Sequence, residues 1–125
     1  MAQSAPLYRL TVVSAPGQAV NYRTLTSTAK IGLKGTVLAQ AATGQAKVWN
    51  DKGTIHIVAK VRDLPPASTF GQGYLTYVLW GISPEGRANN LGELVIKHGK
   101  CKLKTTEAIQ TFGLVVTGEG LSLLY

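Results

Sequence analysis

A chain of 125 residues is the size of one domain and can bury a core without metal or disulfide support. Thirteen Lys and Arg against six Asp and Glu give a formal charge of +7, which favours anionic partners, and the lone Cys101 excludes an intramolecular disulfide. No apolar run reaches the roughly 18 residues that span a bilayer, so no transmembrane segment is expected.

The first strand is expected over residues 7–13, with Tyr8, Leu10 and Val12 facing inward and Arg9 and Thr11 outward, stopped by Ala15-Pro16-Gly17. Residues 20–25 repeat the alternation. Residues 31–38 are a further strand, interrupted by Gly32 and Gly35, where a bulge or bend is expected. Residues 39–43 have helical propensity for about one turn before Gly44, too little to stand alone. Residues 46–49 and 54–62 flank Asn50-Asp51-Lys52-Gly53 and read as a β-hairpin around a four-residue turn. Ile55, Ile57, Ala59 and Val61 then point inward, while His56, Lys60 and Arg62 share the opposite face.

Pro65-Pro66 removes consecutive ladder donors, so residues 63–68 form a connection between layers. The run at 73–82, Gly-Tyr-Leu-Thr-Tyr-Val-Leu-Trp-Gly-Ile, is apolar on both parities, the mark of a central strand buried on both faces. That places Tyr77 and Trp80 in the core, with their polar atoms hydrogen-bonded. Ser83-Pro84-Glu85-Gly86 has the residue order of a type I turn leading into residues 87–96. His98-Gly99 is a two-residue turn between residues 94–97 and 100–104, with Cys101 and Leu103 facing in and Lys100, Lys102 and Lys104 out. Residues 111–117 form a second nearly all-apolar strand. Gly118-Glu119-Gly120 then leads to Leu121, Leu123, Leu124 and Tyr125, either a last strand or an edge available to a partner.

Little in this order supports catalysis. His56 and His98 lie on a strand face and at a turn without the neighbours of a catalytic triad, and one Cys with two separated His offers no zinc spacing. Gly71-Gln72-Gly73 precedes no helix, so a phosphate loop is missing, and Glu85 with Glu93 lacks the surroundings of a glycosidase pair. No catalytic, cofactor-binding or metal-binding residue is nominated. Lys97, His98, Lys100, Lys102 and Lys104 are the candidate anion-binding set, suited to an acidic polymer. The nearby aromatics, Tyr74, Tyr77, Trp80 and Phe112, fall in core strands, so a stacking platform is absent from that face, which argues against nucleic acid. Cations alternating along a strand also occur on any solvated sheet face.

Residues 74–87, continued by Asn90-Leu91-Gly92-Glu93-Leu94, resemble a bacterial envelope domain that precedes outer-membrane-protein-A-like, peptidoglycan-binding domains. The likeness extends to Asn21-Tyr22-Arg23, Gly44-Gln45-Ala46-Lys47-Val48, residues 64–68 and residues 112–117, covering residues 19–117, and departs after Thr117. It does not include the wall-binding domain, so cell-wall binding is not implied. More distantly, Leu64-Pro65-Pro66 followed by Tyr77-Val78-Leu79-Trp80 is similar to the extracytoplasmic domain of anti-sigma-K factors.

Together these observations predict one all-β domain over residues 1–125, a β-sandwich of about seven to nine antiparallel strands, and the resemblance implies that it is Greek-key and immunoglobulin-like. The resemblance implies a periplasmic or extracellular location after signal removal, although residues 1–15 carry no signal pattern. The expected function is a non-enzymatic interaction or assembly module, binding a protein partner or itself through strand edges at Leu121, Leu123, Leu124 and Tyr125. The alternative is an anion-binding module built on residues 97–104.

Overall fold

The structure, a computed structural model, describes residues 10–15, 20–21, 27–108 and 110–120. Among these, the strands are β1 (Leu10–Ser14), β2 (Val20–Asn21), β3 (Ala29–Gly35), β4 (Thr43–Asp51), β5 (Thr54–Arg62), β6 (Thr76–Ile82), β7 (Ala88–Leu94), β8 (Cys101–Glu107) and β9 (Thr111–Glu119). All but β2 lie on one antiparallel path, β7-β6-β9-β1-β3-β4-β5-β8, and β2 pairs with β9 beside it. The ends of the path meet through side chains. A Cβ on Gly92 of β7 would stand 3.1 Å from Leu103 of β8, and Asn89 Nδ2 donates to Glu107 Oε1 at 2.9 Å. The sheet is therefore curled into a nearly closed barrel, and the expected all-β class holds.

The interior is one cluster that includes Val12, Leu33, Val48, Ile55, Ile57, Leu79, Phe112 and Leu114. β5 shows the cause most simply, because its alternation buries Ile55, Ile57, Ala59 and Val61 and leaves Lys60 and Arg62 in solvent. Each fully buried Ile contributes about 1.5 to 3 kcal/mol by leaving water. β6 lies between β7 and β9 and is buried on both faces over residues 76–81. Tyr77 and Trp80 are 1% and 7% exposed. The Tyr77 hydroxyl donates to the Pro65 carbonyl, fastening β6 to the proline connection, and Phe70 packs edge-on against its ring. Trp80 Nε1 lies 2.8 Å from Thr117 Oγ1 and 3.1 Å from Glu119 Oε2, and the Thr117 hydroxyl donates to the same carboxylate.

Four local expectations are corrected. In β1 the register shifts between Thr11 and Val13, so Val12 and Val13 are both buried and strict alternation fails. β3 keeps an unbroken register past Gly32 and stops at Gly35, where a Cβ would fall 1.8 Å from the Ala39 carbonyl oxygen. The β4–β5 ladder runs to Asp51 opposite Thr54, leaving a two-residue turn, Lys52-Gly53, with φ of 53° and 91°. This is the paired positive φ of a type I′ turn, and Asn50 Oδ1 accepts from Gly53 N at 2.8 Å. Finally, His98-Gly99 turns the chain with φ of 54° and 76°, but a single Lys97–Lys100 bridge is all that pairs there, since β7 pairs with β6 and β8 with β5. Tyr8, residues 22–25 and the proposed edge residues Leu121, Leu123, Leu124 and Tyr125 lie outside the described residues.

Candidate anion-binding face

The outer surface of β3, β4, β5 and β8 collects the cations. Strand alternation turns Lys30 and Lys34 of β3, Lys47 of β4, Lys60 and Arg62 of β5, and Lys102 and Lys104 of β8 outward, and all are exposed. Register then sets them in rows. One row reads Lys30, Lys47, Val58, Lys104 across the four strands, and the next reads Gly32, Gln45, Lys60, Lys102. Rows on one face are about 6.7 Å apart, two residues of strand rise. Lys30 is directly opposite Lys47, and Lys60 opposite Lys102, pairings that repel by a few tenths of a kcal/mol to about 1 kcal/mol each. Among the described residues, the acid on this face is Asp51, at the far end of β4.

A groove of about 920 Å³ opens at the end of the face where β5 finishes and β8 begins. Lys60, Arg62, Lys97, Lys100 and Lys102 line it together with Thr43, Gln45 and Val95. Arg62 Nε donates to Thr43 Oγ1 at 3.1 Å, which fixes the guanidinium at the rim. Cys101 also reaches the groove, yet the residue is 9% exposed. Burial pushes its thiol up from 9.0, opposed by a hydrogen bond with the Val61 backbone, so it is a poor nucleophile there. Tyr77 is pushed up to about 12 by burial and then by nearby Cys101, which makes it a packed phenol and not an acid–base group.

At the other end of the same face, Trp49 and His56 are cross-strand partners stacked at 5.3 Å between ring centroids and 9° between planes. Both are half-buried, and this stacked pair corrects the expectation that the face has no aromatic platform. A four-residue turn would have placed Trp49 opposite Thr54. The two-residue turn brings it opposite His56.

Of the residues nominated from sequence, Lys97, Lys100 and Lys102 meet at the groove, and Lys104 lies further along the same face. His98 does not join them. It lines a separate, largely apolar groove of about 740 Å³ with Ala39, Leu64, Pro65 and Ile96. Lys30, Lys34 and Lys47 extend the nominated set, and their alternation along β3 and β4 is the local signal for it. Their convergence needed the strand order, which no local pattern encodes. Among the described residues no group of three or more His, Cys, Asp and Glu could hold a metal, and no helix is long and apolar enough to cross a membrane. No family model, curated protein or solved structure matches the chain.

Proposed function

We propose that the protein is a non-enzymatic module that binds an anionic polymer along the outer face of β3, β4, β5 and β8. The segregation of charge carries this reading. A face that served solubility alone would mix both signs, whereas here like charges stand opposite one another in register. The rows give a polymer successive cationic contacts, the groove offers Arg62 and four lysines to one anionic group, and Trp49 with His56 offers a ring surface. The edge-assembly reading rests on Leu121, Leu123, Leu124 and Tyr125, outside the described residues, while among the described strands β7 and β8, the ends of the path, cover each other. An envelope setting rests on the sequence resemblance, and a Greek-key arrangement is supported by the order β9-β6-β7-β8 around the barrel.

Binding to heparin and to a single-stranded oligonucleotide, measured across a salt series, tests the proposal. Affinity should fall steeply with salt, and Lys47→Gln with Lys60→Gln and Lys102→Gln should lower both the affinity and the salt slope. Trp49→Ala should weaken the oligonucleotide more than heparin. Unchanged affinity in the triple variant would overturn the assignment.

A further inference from the structure

Among the described residues the exposed large hydrophobics are Val37, Leu38, Leu75 and Val95, at 83%, 44%, 60% and 60% exposure. They are far apart in sequence but share one end of the barrel. Val37 and Leu38 join the end of β3 to the start of β4, Leu75 precedes β6, and Val95 follows β7. The antiparallel register brings these together, since Thr43 pairs with Arg62, Val61 with Cys101, and Tyr77 with Leu94. The opposite end, with the Lys52-Gly53 and 83–86 turns, shows none of them.

The apolar groups are held outward by built structure. Thr36 donates through Oγ1 to the Thr11 carbonyl at 2.7 Å and through N to the Val12 carbonyl at 2.8 Å. Its Oγ1 also caps Leu38 N, so the short 3-10 turn Val37–Ala39 buries Ala39 and presents Val37 and Leu38. Leu75 is fixed by its N–H to the Glu119 carbonyl at 3.0 Å. Around them stand Lys34, Arg62, Lys97 and Lys100, with Asp63 and Glu93 as the exposed acids of this end.

We infer that this end docks on an anionic lipid bilayer, the aliphatic side chains entering the interface while the surrounding cations meet lipid phosphates. Hydrogen-bonded loops presenting bare aliphatics, with cations along the β3–β5 side and the 97–100 turn, match a surface that is apolar beneath and negative above. An acidic polymer gives such side chains nothing to bury against. The lipid face shares Arg62, Lys97, Lys100 and Val95 with the polymer groove, whereas Val37, Leu38 and Leu75 lie outside that groove and belong to the lipid reading alone.

Cosedimentation with phosphatidylcholine vesicles, with and without phosphatidylglycerol, tests it alongside heparin affinity as a check on folding and on the sheet face. The chain should bind the phosphatidylglycerol vesicles, and the charge-neutral Val37→Ser with Leu38→Ser should weaken this about tenfold or more while heparin affinity is kept. In Leu38→Trp, the added fluorescence should shift to the blue and be quenched by brominated lipid, which adsorption through surface charge would not produce. Vesicle binding that ignores the Val37 and Leu38 changes, absence of quenching in the bound state, or no vesicle binding would overturn the inference. So would a dimer in solution that Val37→Ser with Leu38→Ser dissolves, since a second copy would then be the occupant.

Discussion

Tyr77 joins two parts of the chain through one atom. Its hydroxyl ties β6 to the Pro65 carbonyl, in a site where ionisation is held off to about 12. Tyr77→Phe removes the donor and leaves that carbonyl short of a partner, and we expect a loss of about 1 to 2 kcal/mol in denaturant unfolding. The pH dependence has a definite sign. In the unfolded chain the phenol ionises near 10.0, so between pH 10 and about 12 the unfolded state is deprotonated while the folded state still holds its proton. This contribution is complete below pH 10 and is lost as pH rises towards 12. Cys101 acts in the same direction from 9.0 upwards, so Tyr77→Phe together with Cys101→Ser should flatten the alkaline decline in stability more than either change alone. The core role of Tyr77 was legible in the sequence from apolar residues on both parities of 73–82. Its partner was not, because a contact between a strand and a loop carbonyl leaves no periodic trace.

Strands and turns divide on the same principle. The inward set of β5 was readable residue by residue from its period of two. The bulge in β1 was not, since one displaced residue in an apolar pair leaves composition unchanged. Two glycines make the element scale testable. Gly44 of β4 has the Lys60 carbonyl oxygen 2.3 Å from where a Cβ would lie, and Gly32 of β3 has nothing within 4 Å. Gly44→Ala should destabilise by about 1 to 3 kcal/mol, because ladder backbone must move. Gly32→Ala should be neutral or stabilise by up to about 1 kcal/mol, by restricting the unfolded chain. Thermal unfolding of the two variants checks the contrast, and equal effects would contradict the packing of β4 on β5. The turn at Lys52-Gly53 shows how a small local reading has a distant result: its length decides whether Trp49 meets His56 at all.

At the scale of the whole molecule, the barrel separates its charges at a cost in stability that salt should relieve. Adding salt from low to moderate concentration should raise the melting temperature by screening Lys30 against Lys47 and Lys60 against Lys102. Lys47→Glu, which sets an acid opposite Lys30, should raise the melting temperature at low salt, diminish the gain from added salt and weaken heparin binding. Calorimetry beside an affinity measurement would show the opposed effects, and a variant that loses stability at low salt would argue against cross-strand repulsion. The candidate face was half legible: the lysines of β8 stood out, but their neighbours depended on β8 joining β5 and not β7. That same choice leaves β7 and β8 joined by side chains, through Gly92 on Leu103 and Asn89 on Glu107. The barrel therefore has a built-in unzipping line. Amide protons of β7 and β8 directed across it should exchange with deuterated solvent ahead of those in the β4–β5 ladder. On heating, the newly bared strand edges of two molecules could complete each other, making a domain-swapped dimer the first thermal product.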